Sequence, residues 1–238
     1  MKKIIVTVIL SLVIFTVSQA LAQEKPRIGV LRFTNDTHAG WWGGSVGRDL
    51  QDMLVSELAS LKAFQVLERK ELEAVLGEQD LGASGRVDKN TAAKIGKIKG
   101  AKYLVASTVS AYEEGTSGKS GGISIGFLSV GGKKATAYMA VDLKVIDTTT
   151  GEIVDARTVE ATSESKGSSV GVHVPFVSGN LGKEEKTPTG KAIRACIMEI
   201  AEYLQCSLVK GKDSACMKEY DAKESSRREK TKKSIKLD

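Results

Sequence analysis

Aromatic residues make up only 5% of this 238-residue chain, and proline, cysteine and histidine number three, three and two. These shortages exclude a good deal. Two histidines (His38 and His173) and three cysteines with no C-x-x-C spacing do not make a zinc centre, so neither a metal nor another cofactor is expected. The chain has no G-x-S-x-G elbow, no H-E-x-x-H pair and no P-loop, which leaves an enzymatic reading without a nucleophile, a metal base or a phosphate cradle. Gly121-Gly122 and Gly131-Gly132 are not followed by the helix that a phosphate site needs, and they read as turns. The acid pairs Glu113-Glu114 and Glu184-Glu185 read as solvated loop charges. The longest apolar run, Ile4 to Val17, is short of the ~20 residues that span a bilayer as a helix. With 35 basic against 29 acidic residues the charge is nearly balanced, and nucleic acid is not an expected partner.

What is present begins with a leader. Lys2-Lys3 precede the apolar run, and Ala20-Leu21-Ala22 supplies the small residues of a cleavage site, so residues 1–22 are expected to be removed before Gln23. The mature chain is then an exported protein of the periplasm or outer membrane. No cysteine lies near the cleavage site, so lipid attachment there is not expected. In an oxidising compartment the odd cysteine count leaves one pair and one thiol, or a bond between subunits. Cys196 falls on the apolar stripe of Ile193, Ile197, Ile200 and Leu204. Cys206 and Cys216 straddle Lys210-Gly-Lys212, which can reverse the chain and bring the two together.

Residues 23–208 read as one domain and 209–238 as a charged, frayed tail holding Arg227, Arg228, Lys230, Lys232, Lys233 and Lys236. Within the domain, Arg27–Phe33 and Ala63–Leu67 read as strands. Val46, Leu50, Met53, Leu54, Leu58 and Leu61 recur at helical spacing across Ser45–Leu61. Leu72, Val75 and Leu76 mark a second helix, followed by a turn-rich stretch over 80–88. Ala92, Ala93, Ile95 and Ile98 suggest a third helix ending at Gly100. The strand Ala101–Tyr112 follows, then a hairpin of Ala135–Asp147 and Glu152–Thr162, and a closing helix over Thr189–Leu208. In the hairpin's first arm, Ala137, Met139, Val141, Leu143 and Val145 share one face, opposite Thr136, Tyr138, Asp142 and Lys144. The fold class is an α/β (α+β) sandwich with a mixed, partly antiparallel sheet.

Two long insertions interrupt the antiparallel section, at 112–134 and 163–186. Both are rich in Gly, Ser and Lys, yet they alternate in Ile123-Ser-Ile-Gly-Phe127 and Val170-Gly-Val-His-Val-Pro-Phe176. Each is long enough for two strands of roughly nine to eleven residues with a turn, the measure of a transmembrane β-hairpin. Ile123, Ile125, Phe127, Val170, Val172, Val174 and Phe176 are then the lipid-facing set. Two flexible loops on a soluble domain are the alternative.

The ordered run Ile28-Gly-Val-Leu-Arg-Phe33, Val66-Leu-Glu-Arg69, Gly100-Ala-Lys-Tyr-Leu-Val105, Gly121-Gly-Ile-Ser-Ile-Gly126, Val141-Asp-Leu-Lys-Val-Ile-Asp147 and Thr150-Gly-Glu-Ile153 resembles the curli-production assembly and transport family, CsgG, with its holdfast-anchoring relatives. The resemblance spans about Arg27 to Leu208. It implies a subunit of a homo-oligomeric ring whose hairpins close one barrel through outer-membrane lipid, passing unfolded protein cargo without ATP. It also implies that the loop after the first strand, with Asn35, Trp41 and Trp42, lies where the channel narrows. For the tryptophans the alternative is that one packs under the loop and the other caps a subunit contact. For the whole chain the alternative is a periplasmic scaffold of the same fold that binds an envelope protein partner.

Overall fold

A computed structural model of the chain describes the backbone of residues 24–118, 124–125, 128–129, 132–168 and 187–234, with side chains over 24–115, 136–163 and 187–234. The expected leader lies outside the described residues. The centre of the molecule is a six-stranded mixed sheet in the order β3-β1-β4-β7-β8, with β2 also paired to β4. Its strands are β1 (Arg27–Val30), β2 (Thr34–Asn35), β3 (Gln65–Leu67), β4 (Tyr103–Gly118), β7 (Gly132–Asp147) and β8 (Ile153–Ser168); the short pair β5 (Ser124–Ile125) and β6 (Leu128–Ser129) stands apart. The parallel half pairs β1 with β3 and β4, and the antiparallel half pairs β4 with β7 and β7 with β8. The four described helices are α1 (Val46–Ser60), α2 (Leu72–Ala83), α3 (Pro188–Gln205) and α4 (Ala215–Ser234).

The alternation in β7 fixes which face is core. Ala137, Met139, Val141, Leu143 and Val145 are buried, while Lys144 is exposed and Asp142 half-buried, accepting a hydrogen bond from the Thr158 hydroxyl at 2.7 Å. Against this face lie Leu50, Leu54 and Leu58 of α1 and Ile193, Cys196, Ile197, Ile200 and Leu204 of α3. Gly47 lets α1 close onto the end of β1: a Cβ there would stand 2.4 Å from the Phe33 carbonyl oxygen. Helix α3 starts as its sequence dictates, with Pro188 in the first turn and the Thr187 hydroxyl accepting from the Gly190 N–H at 3.0 Å. Its last turn widens into a π-helical turn, Cys206–Lys210.

Two expectations fail. Residues 92–98 form no helix: Gly96 takes a left-handed φ of +75°, Ile95 is 62% exposed, and with no face to bury so short a segment cannot hold a helix by propensity alone. Helix α2 instead continues through Asp80 to Ala83. The segment taken for a frayed tail is largely α4. Met217 and Tyr220 are buried, Cys216 is joined to Cys206 by a disulfide with Cα atoms 6.0 Å apart, and Glu224 pairs with Arg227 and Arg228 at 2.8 and 2.6 Å.

Arg157 of β8 fastens this helix. Its side chain is 8% exposed, with the guanidinium 4.9 Å from the ring centre of Tyr203 on α3 and 5.1 Å from that of Tyr220 on α4. It donates to the Tyr220 carbonyl and lies 3.7 Å from the Asp221 carboxylate. The planar cation thus fills a slot between two rings while its donors reach the backbone. Beside it, Asp155 accepts from the Tyr203 hydroxyl at 2.7 Å and from the Ser207 hydroxyl, and burial followed by this hydrogen bond pushes the Tyr203 phenol up.

Two outcomes follow from this packing. Burial holds the Cys196 thiol up at about 12, so native unreduced protein should give no reaction with a thiol reagent. Denaturation without reductant should expose one thiol per chain, and reduction all three. The Arg227 and Arg228 hydrogen bonds within α4 lower the Glu224 carboxyl from 4.5 to about 2, so its contribution to the stability of that helix is complete above about pH 4.5 and is lost as pH falls towards 2. Amide exchange across 215–234 should therefore accelerate in that window, and Glu224→Gln should flatten the dependence.

Candidate functional site

The functional reading concerns one end of the sheet, where β4, β7 and β8 run on after the parallel strands have stopped. Strand β1 pairs with β4 only at Tyr103–Val105 and β2 only at Thr108–Val109. Beyond Val109, β4 continues nine residues to Gly118, in register with β7 from Ala140 back to Lys133 after one irregularity at Val109/Ala111. Strand β8 continues alongside to Ser168, opposite Gly132. The result is a three-stranded ribbon in which β7 is paired on both sides, whereas the outer edges of β4 and β8 have no strand partner among the described residues.

This ribbon contains the start of both insertions. The first insertion leaves along β4 and returns along β7, so its described arms form a hairpin, with the β5–β6 pair Ser124↔Ser129 and Ile125↔Leu128 further out. The second insertion leaves along β8. Ile125 has a described backbone position but no described side chain, and Ile123, Phe127, Val170, Val172, Val174 and Phe176 lie outside the described residues.

Where the ribbon leaves the core, several elements converge. The Tyr112 hydroxyl lies 2.8 Å from the Thr189 hydroxyl and 3.1 Å from a Glu114 oxygen, and the Ser163 hydroxyl donates to the Pro188 carbonyl. These contacts fix the N-terminus of α3 to the base of both insertions. The sequence pattern pointed to the insertions but not to this network. On β7, Tyr138 packs near Glu160 of β8, and burial with that carboxylate pushes its phenol up to about 12. Glu160 in turn lies 3.7 Å from Arg227 of α4.

The tryptophan loop reaches the same place. Trp41 is buried, and its ring meets Tyr112 edge-on at 5.3 Å between centres and Trp42 at 5.6 Å. Trp42 is half-buried at the edge of the core. The Trp41 indole N–H is buried and has no hydrogen-bond partner among the described residues. Asn35 is committed locally: its carbonyl oxygen accepts from the Thr37 N–H at 3.1 Å and hydroxyl at 2.7 Å, and its amide donates to the Thr37 carbonyl at 3.0 Å. That Asx turn shapes the loop. Hence Trp41 sits beneath the loop and Trp42 beside it, with both at the insertion base.

Among the described residues, no cluster of His, Cys, Asp or Glu has metal-binding geometry, and no helix is long and apolar enough to cross a membrane.

No curated protein matches the chain. Among solved structures, the chain is similar to the hypothetical protein CT253 from Chlamydia trachomatis, at 13% identity over 79% of this chain and 99% of that one, with a TM-score of 0.46. It is also similar to a PelC dodecamer from Paraburkholderia phytofirmans, at 14% identity over 79% and 91% with a TM-score of 0.35. A third is lipoprotein GNA1162 from Neisseria meningitidis, at 18% identity over 59% and 84% with a TM-score of 0.31. These are distant likenesses in chain course, from which no function is taken. The match to a family is of another order: the model described as curli production assembly/transport component CsgG covers residues 11–235, nearly the whole sequence. The chain belongs to the CsgG family.

Proposed function

We propose that the protein is the subunit of an oligomeric outer-membrane channel that exports unfolded protein subunits, of the curli or holdfast type. The observation that carries this reading is the ribbon that outruns its own core, with outer edges on β4 and β8 that have no strand partner among the described residues. In water such edges are solvated. In hydrocarbon each unpaired N–H or C=O costs several kcal/mol, so the arrangement is stable there only if neighbouring subunits close it into a barrel. With the second arm of 163–186 returning along β8, each subunit supplies four strands, and the outer strand of one meets β4 of the next. Export follows from the leader at residues 1–22.

The narrow passage is assigned to the tryptophan loop. Trp41 anchors it from beneath, Asn35 sets its turn, and Trp42 is the half-buried tryptophan beside it. A ring of such rigid aromatics grips an extended chain transiently while limiting solute leakage. A second reading, a periplasmic scaffold of the same fold that binds an envelope protein partner, draws support from the exposed apolar residues Val75, Leu76 and Leu81 of α2 and Ile95 and Ile98 of the segment that follows it.

Substitutions in the insertions separate these readings. Ile125→Arg should cost roughly 2–4 kcal/mol per subunit at the bilayer midplane and abolish channel formation in planar bilayers, leaving the water-exposed domain folded. Ser124→Arg should be tolerated and change conductance. Two folded, equally active variants with no channel activity in the parent protein would favour the scaffold. For the loop, Trp41→Ala should lower the unfolding free energy by roughly 3–5 kcal/mol, whereas Trp42→Ala should cost much less and raise single-channel conductance.

A further inference from the structure

The direction of α4 has a consequence for its charge. Two ties align it with β8: Arg157 meets Tyr220 and Asp221, and Glu160 meets Arg227. Arg157 to Glu160 is about 10 Å of strand, and Asp221 to Arg227 is about 9 Å of helix, so α4 runs alongside β8 in the same direction. It is antiparallel to α3, with Tyr203 against Tyr220 at 5.1 Å and Glu199 bound to Lys223 at 3.0 Å. From Tyr203 back to Pro188 is about 22 Å of α3, and from Tyr220 on to Ser234 about 21 Å of α4. The end of α4 is therefore level with the start of α3, where Ser163 and Glu114 mark the base of both insertions.

The packed face of α4 is Met217, Tyr220, Glu224 and Arg227, and it ends there; every residue from 228 to 234 is exposed. This free portion holds Arg228, Lys230, Lys232 and Lys233 against Glu229 alone. Arg228 is held by Glu224 and Lys233 by Glu229, while Lys230 and Lys232 have no ion-pair partner among the described residues. Among the described residues nothing outside α4 pairs with these charges, yet the helix holds them at one place. Further along the ribbon, the backbone ladder pairs Lys134 with Lys166.

We propose that the last two turns of α4 are a contact for anionic lipid headgroups, which seats the domain against the membrane surface beside the insertions. Lysine ammonium groups on a rigid helix meet lipid phosphate as point charges, with an attraction that salt screens over about a Debye length. The orientation rests on the channel reading; the chemistry does not.

The test is flotation of the full chain with vesicles of phosphatidylcholine alone or with about 30 mol % phosphatidylglycerol, at about 50 and about 300 mM salt. The parent protein should bind the anionic vesicles preferentially and lose affinity with salt. Lys230→Gln, Lys232→Gln and Lys233→Gln together should weaken binding at least roughly tenfold with unfolding and disulfide content unchanged, and the three Lys→Arg changes should preserve it. Unchanged binding by the glutamine variant, or equal binding to both vesicle types, overturns the proposal. If Ile125→Arg abolishes binding while the glutamine variant retains it, the lipid contact is wrong and the channel reading stands. The reverse pattern keeps the lipid contact and removes the channel. Tighter binding to a short oligonucleotide than to the anionic vesicles would reassign the patch to nucleic acid and also overturn it.

Discussion

Backbone pairing in the β4–β7–β8 ribbon is the constraint from which the remaining architecture takes its meaning. A strand inside a sheet satisfies its polar groups on both sides, and β7 is paired on both sides from Lys133 to Ile146. Its neighbours do not share that condition once β1 and β2 have ended, because the outer edges of β4 past Val109 and of β8 have no strand partner among the described residues. Proteins that keep long flat edges normally blunt them or cover them. Here the edges are long, polar on the described stretch, and aimed towards the two alternating insertions. Such a design is costly in isolation and stable in a closed assembly.

A projecting ribbon needs a rigid base, and most of the domain serves that need. The buried faces of α1 and α3 clamp the core side of the sheet with Leu, Ile and Val, where each fully buried side chain contributes roughly 1.5–3 kcal/mol. Polar contacts then decide position rather than total stability. Tyr112, Glu114, Thr189 and Ser163 tie α3 to the ribbon's root, and Trp41 wedges the loop against Tyr112. On the far side, Arg157 between two tyrosine rings and the Cys206–Cys216 bond hold α4 in line with β8. The exposed ion pairs of α4, such as Lys233 with Glu229, add little individually. Their value is in stiffening a helix whose final turns are exposed.

Legibility in the sequence followed burial. The alternation of Ala137 to Val145 and the helical spacing of Leu50, Leu54 and Leu58 were readable because a packed face imposes a period on the chain. The order of the sheet could be read in its antiparallel half from the turn at Thr148–Gly151. Residues 92–98 misled because Ala and Ile at helical spacing imply a buried stripe, and here no element covers it. Helix α4 went unread for the opposite reason: its docked face is narrow, built from Met217, Tyr220 and two charged residues, so no apolar period stands out. The signals that could have found it were the i,i+4 pairs Glu224–Arg228 and Glu229–Lys233. Position of the tryptophans along the chain said nothing about which one is inside; burial and the Tyr112 contact distinguish Trp41 from Trp42.

The central claim is that this chain works as a closed ring in lipid. Negative-stain imaging of the full-length protein, extracted with detergent from outer membranes, tests it most directly. The account predicts uniform rings with a central stain-filled pore. Extraction of only discrete monomers, soluble without detergent, would contradict it.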